Sequence, residues 1–246
     1  MSRKPKPQPK PKTKYSQYTL QHIPKETVSI GRDGLGAYTA NPEAWPPSRV
    51  IYHNERVVVI NDMYPKSSIH TLVLPKSPRN LLHPFVAFED AQLLAEVKDE
   101  VEKAKNMVAD ELRRRYGKHS ATERPRLEAM EADDPPDELP PGRDWGKDVI
   151  AGIHAGPSMN HLHVHVMSRD MVSDCLRKQN HYQSFTTPFL VRLDEFPLSK
   201  DDTRRKSHHG GYLHDEMRCW RCGRGFAKMS PLKKHLDDEF EQWKRE

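Results

Sequence analysis

Residues 161–167 read His161-Leu162-His163-Val164-His165-Val166-Met167, three histidines alternating with apolar residues. Successive side chains on a strand point to opposite faces, so this alternation predicts a strand. It sends Leu162, Val164 and Val166 into a core and lines up three imidazoles on the other face. Charged imidazoles so close would repel, so such a row keeps at least one ring neutral, fit for nucleophilic attack or metal binding. Three readings follow from these residues: phosphate chemistry, a metal site, or a solvated polar face. The preceding Gly156-Pro157-Ser158-Met159-Asn160 adds a tight turn with backbone N–H groups and a hydroxyl, which suits anionic oxygens better than a cation.

Around this run the chain is organised in two parts. Residues 56–62 and 69–74 are β-branched and apolar, broken by Tyr64-Pro65, a strand–turn–strand signal. From Glu89 to about Tyr116 apolar residues recur at helical spacing (Leu93, Leu94, Val97, Val101, Ala104, Val108), predicting one long amphipathic helix. Residues 119–148 hold nine acids, four bases and five prolines, the composition of a disordered acidic insertion. The core resumes at Val149–Ile153. Strands, a helix, then strands predict an α+β domain with an antiparallel sheet over residues 19–198. A small domain over 199–246 follows, with a polar joint running to Gly210-Gly211.

Cys219 and Cys222 open the metal-binding part of the small domain, with Phe226, Leu232 and His235 at the spacing of a zinc finger. Structural Zn²⁺ would supply folding energy that so small a core lacks. No histidine follows His235, so Glu239, one helical turn on, is the expected fourth ligand, ahead of Asp238 and the upstream His214. Between Met217 and Lys234 lie six bases and no acid, beside Trp220. One-sided charge of this kind suits a phosphate backbone, which makes Arg221 and Lys233 candidate DNA contacts.

The full chain has 246 residues with a formal charge of +5. No apolar run approaches a membrane span and no signal-peptide core opens the sequence, so an intracellular protein without membrane contact is expected. Residues 1–18 form a basic, proline-rich arm, expected to be disordered, with six bases and no acid up to Lys14. An odd cysteine count of three, with one close pair, fits a reducing compartment and a metal role for that pair.

The His-x-His-x-His run followed by two apolar residues resembles the histidine triad superfamily. Ile60–Lys66 and His70–Pro75 look like its nucleoside-binding strand pair. Within it, His154-Ala155-Gly156-Pro157-Ser158-Met159 and the finger-like tail are similar to the aprataxins, DNA 5′-adenylate hydrolases. The resemblance spans roughly residues 30–246, without the phosphopeptide-binding domain of animal aprataxins. It implies a nuclear, monomeric DNA-repair hydrolase that releases AMP from adenylated 5′ ends at nicks or breaks, without a catalytic metal. His163 would be the nucleophile that forms an adenylyl-histidine. His161 would orient it, and His165 and Ser158 would meet charge on the phosphate. His154 and His70 would lie near the scissile phosphate and the DNA end. Asp62 and Met159 would hold the nucleotide, and Lys66 the DNA. Aprataxins commonly carry a lysine where this chain has Asn180; Lys178 or Arg177 is the expected substitute. A general nucleoside phosphoramidate or dinucleotide hydrolase, or an idle DNA-binding protein, are the rival readings.

Overall fold

The computed structural model describes residues 31–206 and 211–246, so the basic arm and the Gly210 end of the expected joint lie outside the described residues. Six strands form one antiparallel sheet: β1 (Val50–His53), β2 (Val57–Asn61), β3 (His70–Pro75), β4 (Val149–His154), β5 (Val164–Ser168) and β6 (Leu190–Arg192). Their spatial order is β1-β2-β3-β5-β4-β6, which puts the histidine strand β5 at the centre, between β3 and β4.

One face of the sheet is covered by the helix over Ala91–Tyr116, which follows a short helix α1 (Gly36–Ala40) and is α2 here. Asp90 caps α2 by accepting the N–H groups of Gln92 and Leu93, so the helix starts two residues later than the apolar periodicity alone predicts. Three arginines, Arg113 to Arg115, close its last turn, where cations oppose the helix dipole favourably. Its apolar stripe, Leu94, Val97, Val101, Ala104, Val108 and Leu112, packs with Val57, Val59, Val73, Val164 and Val166. Each buried Val or Leu contributes roughly 1.5–3 kcal/mol, so this interface helps to hold β5 in place.

Two expectations need correction. The strand at the histidine run begins only at Val164: the Leu162 N–H goes to the Asn80 carbonyl at 2.6 Å rather than into a sheet ladder. Leu162, Val164 and Val166 are nonetheless buried in the core, but His161 and His163 both precede the strand, which carries only His165.

Residues 119–148 do not behave as a structureless insertion. They contain α3 (Arg124–Met130) and a short turn of helix at Trp145–Asp148. Trp145 and Glu123 are each 1% exposed. Glu123 accepts hydrogen bonds from the Arg143 N–H (2.8 Å) and the Trp145 indole (3.2 Å) and pairs with Arg113 at 3.1 Å. The acids of this segment are thus partly inward ligands for arginine and tryptophan, a pairing that composition cannot distinguish from solvated charge.

The small domain comprises a hairpin, β7 (Met217–Arg218) and β8 (Gly225–Phe226), and a helix, which follows α4 (Gln179–Thr186) and is α5 (Met229–Trp243). It is built onto the sheet domain. Met217, Phe226, Leu232 and Leu236 share a core with Met167, Leu176 and Tyr182, and Trp243 enters the main core. The Tyr182 hydroxyl donates to the Arg218 carbonyl and accepts the Trp220 N–H, both at 2.9 Å. Among the described residues no helix is long and apolar enough to cross a membrane.

Candidate active site

On the face of the sheet opposite α2 lies a cleft of about 1130 Å³, lined by His154, His161, His163, His165, Asp62, Lys66, Ser158, Met159, Asn180 and His181 among others. Its apolar wall comes from Ile60 and Leu72 on the sheet and from Leu35, Tyr38 and Trp45 on the segment around α1. A third aromatic, Phe185 of α4, stands with its ring centroid 4.6 Å from His154, 5.0 Å from His165 and 5.4 Å from His70.

Hydrogen bonds assign the imidazole tautomers. His163 Nδ1 lies 2.7 Å from the His161 carbonyl oxygen, which can only accept, so Nδ1 carries the proton and Nε2 keeps its lone pair. The His161 backbone therefore orients His163, where its side chain was expected to. The His161 ring instead packs on α1, where a Cβ at Gly36 would stand 2.6 Å from its Cε1 and Nε2. Only glycine admits the ring there.

A second relay fixes His165. The Lys66 backbone N–H donates to His70 Nδ1 at 3.1 Å, leaving the His70 proton on Nε2, which lies 2.9 Å from His165 Nδ1. His165 then carries its own proton on Nε2, and that atom has no partner among the described residues. An unbonded buried donor costs stability unless an acceptor arrives, and a phosphate oxygen is such an acceptor.

Burial favours neutral rings throughout. Desolvation pushes His70 down to about 4 despite Asp62, whose Oδ2 lies 3.5 Å from its Nε2. His154 falls to about 3, through burial and then the neighbouring His163 and His70. Burial also lowers His163, against the opposing effects of its bond to His161 and of Asp62, and sets His165 well below the ordinary range. Neutral imidazoles are what a nitrogen nucleophile and a hydrogen-bond donor at neutral pH require.

Around the histidines the other expected residues divide. Asp62, half-buried, accepts the Tyr64 N–H at 2.7 Å and stays at the cleft. Ser158 is exposed and Met159 half-buried, both lining the cleft. Lys66 reaches the Tyr64 carbonyl, and burial lowers its ammonium. Lys178 precedes the first residue of α4 and is exposed, outside the cleft lining, whereas Asn180 lies in it. Sequence reading missed Gly36, Tyr38, Trp45 and Phe185; the aromatic pair was visible, but its distance from the histidine run left nothing to connect it with the site.

The metal-ligand set converges as expected. Donor atoms of Cys219, Cys222, His235 and Glu239 all lie within 4.8 Å of one another. Cys222 Sγ is 3.1 Å from His235 Nε2, which is 3.3 Å from Glu239 Oε1. Two thiols, an imidazole and a carboxylate, from a turn and a helix, suit tetrahedral zinc. His214 and Asp238 are exposed and outside the cluster. Asp62, His70 and His165 also approach within 4.8 Å, but the two imidazoles already bond to each other.

Arg221 and Lys233 are engaged within the protein. Arg221 is tied to Glu239 at 2.7 Å and to Glu246, and Lys233 donates to the Ser173 carbonyl at 3.0 Å. Arg224, Lys228 and Lys234 are exposed bases of that run.

Central β5, its relay of imidazoles and the appended finger define a histidine triad domain carrying a zinc-binding module. A family model described as the HIT domain matches residues 44–172, and one described as the C2HE / C2H2 / C2HC zinc-binding finger matches residues 186–242. An aprataxin-like protein of Schizosaccharomyces pombe is 33% identical over 240 residues, covering 91% of this chain and 88% of the relative. One of Saccharomyces cerevisiae is 34% identical over 218 residues, covering 85% and 95%. The crystal structure of the aprataxin ortholog Hnt3 from S. pombe superposes with a TM-score of 0.66 at 29% identity, covering 88% of this chain and 96% of that one. Hnt3 in complex with DNA and guanosine superposes equally well, with a TM-score of 0.66 at 30% identity over 86% and 96%. The chain belongs to the aprataxin family.

Proposed function

We propose that this protein is a nuclear DNA-repair hydrolase that removes AMP from the adenylated 5′ ends left by failed ligation. The observation that carries the reading is the His163 tautomer: Nδ1 is held by the His161 carbonyl, so Nε2 is the free nucleophile. Nε2 attacks the adenylate phosphorus, the P–O bond to the DNA 5′-phosphate breaks, and that phosphate leaves with the bonding pair. Water then cleaves the P–N bond, releasing AMP and restoring the imidazole. The His165 Nε2–H, lacking a partner among the described residues, supplies a donor for charge on the phosphorus oxygens, with Ser158 and backbone N–H groups of the 156–160 turn beside it. Asp62 accepts the ribose hydroxyls, and the Tyr38–Trp45 wall takes the base.

DNA as the substrate is supported by the relatives, one of them solved with DNA, and by exposed Arg224, Lys228 and Lys234 on the fused finger. The chemistry at His163 needs only the chain's own groups, and zinc serves the finger. Incubation with a 5′-adenylated nicked duplex should release AMP and leave a 5′-phosphate. Release from small nucleoside phosphoramidates at a far higher kcat/KM than from the nicked duplex would instead favour a general phosphoramidate hydrolase.

A further inference from the structure

A donor set of two cysteines, one histidine and one glutamate carries one more negative charge than a set of two cysteines and two histidines, because a carboxylate replaces a neutral imidazole. A second difference is geometric: a carboxylate has two equivalent oxygens and can rock between one- and two-point contact, whereas an imidazole presents one nitrogen. Here both differences are met by one side chain. Arg221, in the turn between Cys219 and Cys222, sends Nη1 to Glu239 Oε2 at 2.7 Å and to the Glu239 backbone carbonyl at 3.3 Å. The other oxygen, Oε1, is the one that faces His235 Nε2, at 3.3 Å. The Glu239 side chain is 12% exposed and that of Arg221 22%, so the pair is sheltered from the screening that weakens surface ion pairs. The second guanidinium nitrogen, Nη2, is bound by Glu246, which locks the arginine from behind.

We propose that Arg221 is a positioning residue of the metal centre: it occupies Glu239 Oε2, leaves Oε1, the oxygen beside His235 Nε2, as the one that would serve as ligand, and offsets the charge that the glutamate adds. It is therefore the partner that makes glutamate work as the fourth ligand. Groups that hydrogen-bond to a metal ligand commonly govern affinity by roughly 10- to 100-fold.

The test is zinc affinity of the full-length protein by competition with a chromogenic chelator, in two backgrounds. Arg221→Met should weaken zinc binding by roughly 10- to 100-fold, with Arg221→Lys in between, since one ammonium cannot span the carboxylate and the carbonyl together. In a Glu239→His background, where neither the extra charge nor the second oxygen exists, Arg221→Met should change affinity by less than about threefold, well short of the usual effect of a group bonded to a ligand. Wild-type affinity in Arg221→Met overturns the proposal. An equal drop in both backgrounds also overturns it, because Arg221 would then be a general prop of the finger.

Discussion

The Trp243 indole N–H of the finger helix donates to Asp148 Oδ1 at 2.9 Å, across the boundary to the residue that leads into β4. The Arg143 guanidinium packs against both the Trp145 and Trp243 rings, at 4.2 and 4.6 Å, and its Nη2 bonds the other Asp148 oxygen at 2.8 Å. Metal and catalytic domain are therefore mechanically joined. Removing zinc should lower the melting temperature of the whole chain in one calorimetric transition, with loss of AMP release tracking it. Trp243→Ala should destabilise by about 3–5 kcal/mol. A separate low-temperature transition that leaves activity intact would show that the two parts melt independently.

His163→Ala should abolish AMP release, because a covalent route has no substitute for its nucleophile. DNA affinity should stay within about threefold, an order-of-magnitude expectation for a residue whose role is confined to the reacting bond. His161→Ala is the informative contrast: the orienting group is the residue 161 carbonyl, which alanine retains, so the rate should fall by less than about tenfold. An acid-labile adenylyl adduct should map to residue 163 in both the wild type and His161→Ala.

Stability should depend on acid through the desolvated histidines, to which His70, 3% exposed, contributes beside His154, His163 and His165. The folded value of His70, about 4, lies below the ordinary 6.5, so as pH falls the unfolded chain takes up the proton first. Above about 6.5 this histidine contributes no pH dependence; between 6.5 and 4 it lowers stability by up to roughly 1.4 kcal/mol per pH unit; below 4 the loss is complete. Urea midpoints measured across that window should fall steadily, and His70→Asn should reduce the slope by the share of His70 while the other desolvated histidines keep the rest. An unchanged slope would place the titrating group elsewhere.

Neutralising Arg224, Lys228 and Lys234 together should reduce the salt dependence of DNA binding by about 0.9 log units of slope for each phosphate they no longer neutralise. Zinc content should not change, since these side chains are exposed and outside the ligand cluster. If only Arg221→Met and Lys233→Met alter the slope, the DNA surface lies closer to the metal than the exposed bases imply.

Local periodicity made the strand pair before and after Tyr64-Pro65, helix α2 and the Cys219–His235 spacing readable, because each is written in neighbouring residues. The face on which Leu162, Val164 and Val166 lie was readable for the same reason. What escaped was decided by contacts between distant parts of the chain. The start of β5 depends on Asn80, far upstream of the Leu162 amide it binds. The order in residues 119–148 depends on Arg113 and Trp243. The ion pair of Arg221 with Glu239 was not readable for the same reason, since its charge is in the sequence and its partner is set by the fold.

Met167 follows His165 by two residues and so leaves β5 on the same side, yet it lands in the interior shared with the finger. The phosphate-facing imidazole of His165 and the packing braced by the finger are thus adjacent stops on one pleated surface, about 7 Å apart along the strand. A repacked residue around Met167 pushes on the strand that carries His165, whose ring must hold a 2.9 Å bond to His70. The finger's interior is consequently a place where turnover can be tuned, by inheritance or by design, through side chains that never meet a nucleotide.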